Sequence, residues 1–292
     1  MSNKHLVIFL SLVFPLFLRA QENYEYIGFI RVNDTVNISY KVALTEQSGV
    51  VKGYSLTGMG GEHETRSTIR GEYYEDKKEL NFRETGIVYT KSPVTQDDFC
   101  FINTTIDNFT FKKSNKIKAD FIGLFPDNTK CINGEILLSP LEKMEAKFDK
   151  VMTKINKSKR VSDSIKEKLS SMKMMDSLNL NILRKDQTMS VFSKSENVSL
   201  IIYDGGKEDG DKVTISVNNK TLLSNFEATN KQKLINLDLA SGKTSIVIHA
   251  DNEGSITPNT VIVELKDGDN TLKAMSNLKK GEKTQIDFLK AK

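Results

Sequence analysis

The most constraining feature of this chain is alternation. Apolar and polar residues take turns in short runs over most of its length, and small polar clusters punctuate the runs. Ile38, Tyr40, Val42 and Leu44 alternate with polar neighbours, as do Phe109 and Phe111, and then Ile117, Ala119, Phe121, Gly123 and Phe125. A period of two places one face of each run against a core and the other in water, which is the pattern of antiparallel β-strands. Asn33-Asp34, Gln47-Ser48-Gly49, residues 58–61, Asp76-Lys77 and Asp127-Asn128 supply the turns. Residues 21–138 therefore read as an antiparallel β-domain of about eight short strands, a meander closing into a barrel or a folded sandwich, lipocalin-like in shape only.

At Ser139 the period changes. Ser139-Pro140-Leu141-Glu142 has the form of a capping box with proline at the first helical position. Leu141, Met144, Phe148, Val151 and Ile155 follow at helical spacing, and the register recovers at Ile165, Leu169 and Met172, with Ser158 and Ser162 in the seam between. A second capping box starts at Ser164. Residues 139–187 thus read as a helical spacer, either one long helix with a polar break or an αα-hairpin turning over 157–163. Its apolar seam packs on the neighbouring β-domain or pairs with a second copy as a short coiled coil. From Thr188 alternation returns in runs about ten residues apart: 198–203, 212–217, 221–223, 233–239, 243–249, 261–266, 271–275 and 284–289. That spacing indicates a β-sandwich over 188–292. The fold class is mainly β.

Residues 1–20 have the form of an export signal: Lys4 and His5, an apolar run over 6–18, then Arg19-Ala20-Gln21 for cleavage. Thirteen apolar residues are too few for a bilayer core that needs about 20, and no later stretch qualifies. The mature chain is expected in the periplasm or secreted. The whole sequence carries 42 Lys plus Arg against 38 Asp plus Glu. Cleavage would remove Lys4 and Arg19, leaving 40 against 38. So even a balance lacks the electrostatic footprint of a nucleic-acid binder. Both cysteines, Cys100 and Cys131, would meet an oxidising compartment, and a disulfide is favoured over two free thiols.

Strand parity within 188–292 sends alternate connections to the same end. Loops 204–211, 224–231 and 250–260 would share one pole, and the short turns at 218–219, 241–242 and 267–270 the other. The long loops hold Asp204, Glu208, Asp209, Asp211, Asp251, Asn252 and Glu253. Flexible acidic loops can supply calcium's six to eight oxygens, although the spacing is not that of an EF-hand. The plainer reading is a solvated acidic turn. Catalytic signatures are missing: there is no nucleophile elbow, HExxH, Walker A or GxGxxG motif. Glu62, His63 and Glu64 are candidate metal ligands or simply a hairpin tip, and His249 reads as a strand residue beside the acidic loop.

The runs Asp204 to Asp211, Val217-Asn-Asn-Lys220, His249 to Ser255 and Pro258-Asn-Thr260 resemble a C-terminal β-sandwich of exported and cell-envelope proteins of the Bacteroidota. Asn219 stands where such proteins more often show glycine. The resemblance covers about 95 residues, implies an accessory extracytoplasmic module and carries no established active site onto these positions. The functional expectation is a non-enzymatic binding or structural protein of the bacterial envelope. Its three long loops would touch an envelope or extracellular protein or glycan. Two alternatives are a carrier of a small apolar ligand, with Phe101, Phe109, Phe111, Phe121 and Phe125 lining the N-terminal barrel, and a carboxylate-dependent hydrolase.

Overall fold

The computed structural model describes residues 22–32, 35–93, 95–158, 180–205, 207–239, 242–268 and 270–291. Residues 1–20, Ser162, Ser164, Ile165, Leu169 and Met172 lie outside these, and so do the export signal and the second half of the helical spacer.

Eight strands form the N-terminal unit: β1 (Asn23–Val32), β2 (Val36–Gln47), β3 (Val50–Thr57), β4 (Thr65–Tyr74), β5 (Glu79–Thr90), β6 (Phe101–Ile106), β7 (Ile117–Leu124) and β8 (Lys130–Pro140). Each pairs antiparallel with the next, and β8 returns to β1 with Ile136 opposite Ile30, so the meander closes into an eight-stranded antiparallel barrel. The even members of β2 (Tyr40, Val42 and Leu44) point inward, as their alternation predicts. One inner row shows how the interior is filled. Phe121 lies over Gly134 of the next strand, where a Cβ would come within 2.7 Å of the ring. Large residues opposite glycine let a closed barrel reach core density.

Phe109 and Phe111 are not on a strand. They sit in the irregular connection between β6 and β7, which folds over one end of the barrel and buries both rings among Tyr24, Tyr26 and Tyr73. Local alternation misread this segment because a loop that returns across a core can bury residues at any spacing. Phe121 joins the same apolar cluster, whereas Phe101 and Phe125 are partly exposed. The disulfide forms between Cys100, just before β6, and Cys131 in β8, and it passes across Gly123 of the intervening β7.

Among the described residues the helical spacer forms one short helix, α1 (Leu141–Lys157). It starts one residue later than the capping box implies. Ser139 stays in β8, Pro140 is the N-cap and no side chain caps the helix, because the ladder to β1 holds Ser139 in strand geometry. Leu141 is buried and the helix packs on β1 and β8, while Val151 is exposed. The strand pattern resumes inside the span read as helical, with β9 (Asn181–Arg184), and continues in β10 (Thr188–Ser193), which starts where alternation was expected to return. Four residues are too few to show a period, which is why β9 escaped the sequence reading. Among the described residues no helix is long and apolar enough to cross a membrane.

The remaining strands are β11 (Asn197–Asp204), β12 (Lys212–Val217), β13 (Lys220–Glu227), β14 (Lys233–Asp238), β15 (Lys243–Ala250), β16 (Val261–Asp267), β17 (Asn270–Asn277) and β18 (Lys283–Lys290). A separate mixed sheet has the order β14-β11-β16-β17-β9, with β9 parallel to β17. The others run β13-β12-β15-β18-β10 and continue into the barrel through β5. Strand β5 serves two partners: Leu80 to Arg83 pair with β6, and Tyr89 and Thr90 with β10. Two bulges in β5 itself, where Val88 and Thr85 are skipped in its pairing with Arg66 to Ile69 of β4, allow the splay, since a bulge bends a strand and raises its twist. Leu56 and Tyr89, on the barrel's outer wall, belong to the apolar cluster of the C-terminal strands.

Candidate functional site: the loop pole and the seam

The loops after β11, β13 and β15 meet at one pole of the C-terminal unit. Asn230 N donates to Glu208 Oε1 (2.6 Å), Ser255 N to the Asp209 carbonyl (2.8 Å) and Thr260 N to Asp211 Oδ2 (2.7 Å). Glu208 and Asn252 therefore share a pole, as strand parity requires. The middle loop is shorter than read: β13 runs on to Glu227, so of 224–231 only the last four residues lie beyond the strand. At the opposite end, Asn218 and Asn219 both take positive φ, 49° and 65°, a left-handed pair that asparagine tolerates. Asn219 in place of glycine thus leaves the two-residue turn intact.

Each acidic loop residue has a definite task. Asn252 Oδ1 accepts from Lys212 N (2.6 Å) and its Nδ2 donates to the Gly210 carbonyl (2.8 Å), pinning the third loop to the first. Asp209 Oδ2 accepts from Ile256 N, and Gly254 must be glycine because its φ is +59° and a Cβ there would meet Asp209 Oδ1 at 2.7 Å. Asp251 is drawn away by His249 Nδ1 (3.1 Å) and Thr214 Oγ1 (2.8 Å), and Glu253 Oε1 accepts from Lys280 N. His249 thus stands beside the acidic loop, half-exposed. Asp204 and Asp211 are buried. Loss of hydration pushes the Asp211 carboxyl up to about 6. The neighbouring charges of Asp209, Asp204 and Glu253 act in the same direction, and the Thr260 amide pulls the other way. The Oδ1 atoms of Asp209 and Asp211 are buried without a hydrogen-bond partner. Among the described residues, no three His, Cys, Asp or Glu side chains form a group that could hold a metal ion.

The Glu62-His63-Glu64 turn divides its members. Glu62 and His63 are exposed, with His63 Nδ1 3.3 Å from Ser92 Oγ, but Glu64 is buried at the seam between the two units. Glu64 Oε1 accepts from Tyr89 Oη (3.2 Å) and pairs with Lys91 Nζ (3.3 Å), while its Oε2 accepts from Gly60 N. Lys91 Nζ also donates to the Ile182 carbonyl of β9 (3.1 Å), which joins the units directly. Burial lowers the Lys91 ammonium and Glu64 partly restores it. Nothing in the sequence marks Tyr89, Lys91 and Asn181 as a cluster: Tyr89 alternates like any strand residue, Lys91 follows the strand's end, and Asn181 falls in the span read as helical. No family model matches the chain, and neither a curated protein nor a solved structure does.

Proposed function

We propose that this chain is a non-enzymatic binding or structural protein of the bacterial envelope, periplasmic or secreted. Its partner, an envelope or extracellular protein or glycan, is met by the loop pole. The observation that carries this reading is the cross-bonding of three loops, two of them long, on a strand framework, which fixes a contact surface before any partner arrives and reduces the ordering cost of binding. The Cys100–Cys131 disulfide is in keeping with an oxidising compartment. We read the C-terminal unit as a β-sandwich, in support of which strands of both sheets contribute to one apolar cluster. For the barrel, a core-filled interior is preferred to a carrier, since Phe109, Phe111 and Phe121 pack on neighbouring interior side chains.

Mature protein immobilised through its C-terminus and screened against purified envelope proteins and glycans tests the proposal. Binding that is lost when Lys207, Glu208 and Glu253 are replaced by alanine supports it. An empty screen at micromolar concentration, or binding indifferent to these changes, overturns it. Calcium at the pole is tested separately: the ion should raise the melting temperature of chelator-treated protein if it binds the native state, and an unchanged melt retires the idea.

A further inference from the structure

Above the Glu64–Lys91 pair, the seam holds a partly open cavity of about 290 Å³, between the outer wall of the barrel and strands β9 and β17. Its volume is near the lower end for small-molecule sites, which favour the junctions between units. At about 30 Å³ per water it would hold roughly ten waters, or one molecule of monosaccharide size. Tyr54, Leu56 and Leu272 supply apolar wall.

The polar lining is unbalanced in a specific way. The Arg66 guanidinium stacks 3.8 Å from the centre of the Tyr54 ring, makes no ion pair among the described residues, and has a buried Nε with no acceptor. The other charges at the cavity are matched, Glu64 by Lys91 and Lys273 by Glu264 (3.2 Å). Asn181, only 6% exposed, holds its amide toward Tyr89 and leaves Oδ1 buried without a donor. Arg66 and Asn181, each with one buried atom left without a partner, therefore both line one cavity, and Arg66 brings it a positive charge that no ion pair among the described residues offsets. An unmet buried donor or acceptor costs about 1–3 kcal/mol, so such a pair calls for an occupant.

We propose that this cavity binds a small hydroxylated carboxylic acid of sugar-acid size. Its carboxylate pairs with the Arg66 guanidinium, a hydroxyl donates to Asn181 Oδ1 once that amide turns to the cavity, and its C–H face rests on Leu56 and Leu272. The arrangement does not depend on the loop-pole reading, because it lies in the seam and uses none of the loop residues.

Calorimetry and thermal melting of the full mature chain with D-galacturonate and D-glucuronate test it, with D-galactose and sodium chloride as controls. Saturable binding and a rise of a few degrees are expected for at least one uronate, with neutral sugar at least tenfold weaker, or about 1.4 kcal/mol. Arg66→Met should abolish the response. Asn181→Asp, which keeps the side-chain shape and opposes the carboxylate with a like charge, should weaken it at least tenfold. Leu272→Phe should block it by filling the space while leaving Arg66 in place, and it decides the matter should Arg66→Met not fold. Absence of any uronate response in the wild type overturns the proposal and leaves the cavity to water. A response that Arg66→Met or Leu272→Phe retains overturns it as well.

Discussion

At the scale of single residues, two buried acids do different work. Glu84 lies inside the barrel and accepts hydrogen bonds from Tyr40 Oη (3.1 Å), Ser55 Oγ and Ile102 N (2.9 Å). Burial pushes its carboxyl upward, and those three donors pull it back. Glu84→Ala orphans all three, and a loss of about 3 kcal/mol or more is expected in urea unfolding, with Glu84→Gln less damaging. Asp211 titrates at about 6 when folded against an ordinary 3.8. A raised acid binds its proton more tightly in the native state, so its contribution to stability is complete below about pH 4 and is lost as pH rises through 6. Melts across that window should show this decline, and Asp211→Asn should flatten it. Gly254→Ala adds strain at a left-handed φ and a clash with Asp209, and should cost about 1–3 kcal/mol in the same unfolding assay.

Among the elements, β7 is held on both sides. It pairs with β6 and β8, and the disulfide joins the start of β6 to β8 over a separation of 31 residues. On the chain-entropy account a link closing about 30 residues restricts the unfolded state by roughly 3–4 kcal/mol. The double variant Cys100→Ser/Cys131→Ser should lower stability by that order, and reducing agent should do the same to the wild type while leaving the double variant unchanged. The eight barrel strands could be read because alternation survives wherever one face is buried and the other wet. Strand β9 and the loop carrying Phe109 could not, because the first is only two periods long and the second is buried by its path across the barrel mouth.

For the molecule as a whole, the decisive feature is a shared strand. β5 closes the barrel with one half and pairs with β10 through the other, Leu56 and Tyr89 are packed by the second unit, and Lys91 bonds across to Ile182. Units joined through one core cluster and a buried ion pair should melt together. Calorimetry of the wild type should give one transition, and Lys91→Met, which strands the Glu64 carboxylate, should lower its midpoint or split it in two. Two transitions in the wild type would show that the seam adds little to cohesion.

The sequence by itself determined the β character, the end of the barrel near residue 138, the strands after 197 and the gathering of three loops at one pole. All of these follow from local periodicity and from the parity of reversing strands, which need no knowledge of what packs on what. Tertiary structure alone decided that Glu64 is a buried hub and not an exposed turn residue, that β5 divides between two partners, and that Arg66 and Asn181 face one cavity. Outward-facing positions on a barrel wall follow the same alternation whether water or another sheet covers them. Only the packed chain shows which of them lost their water.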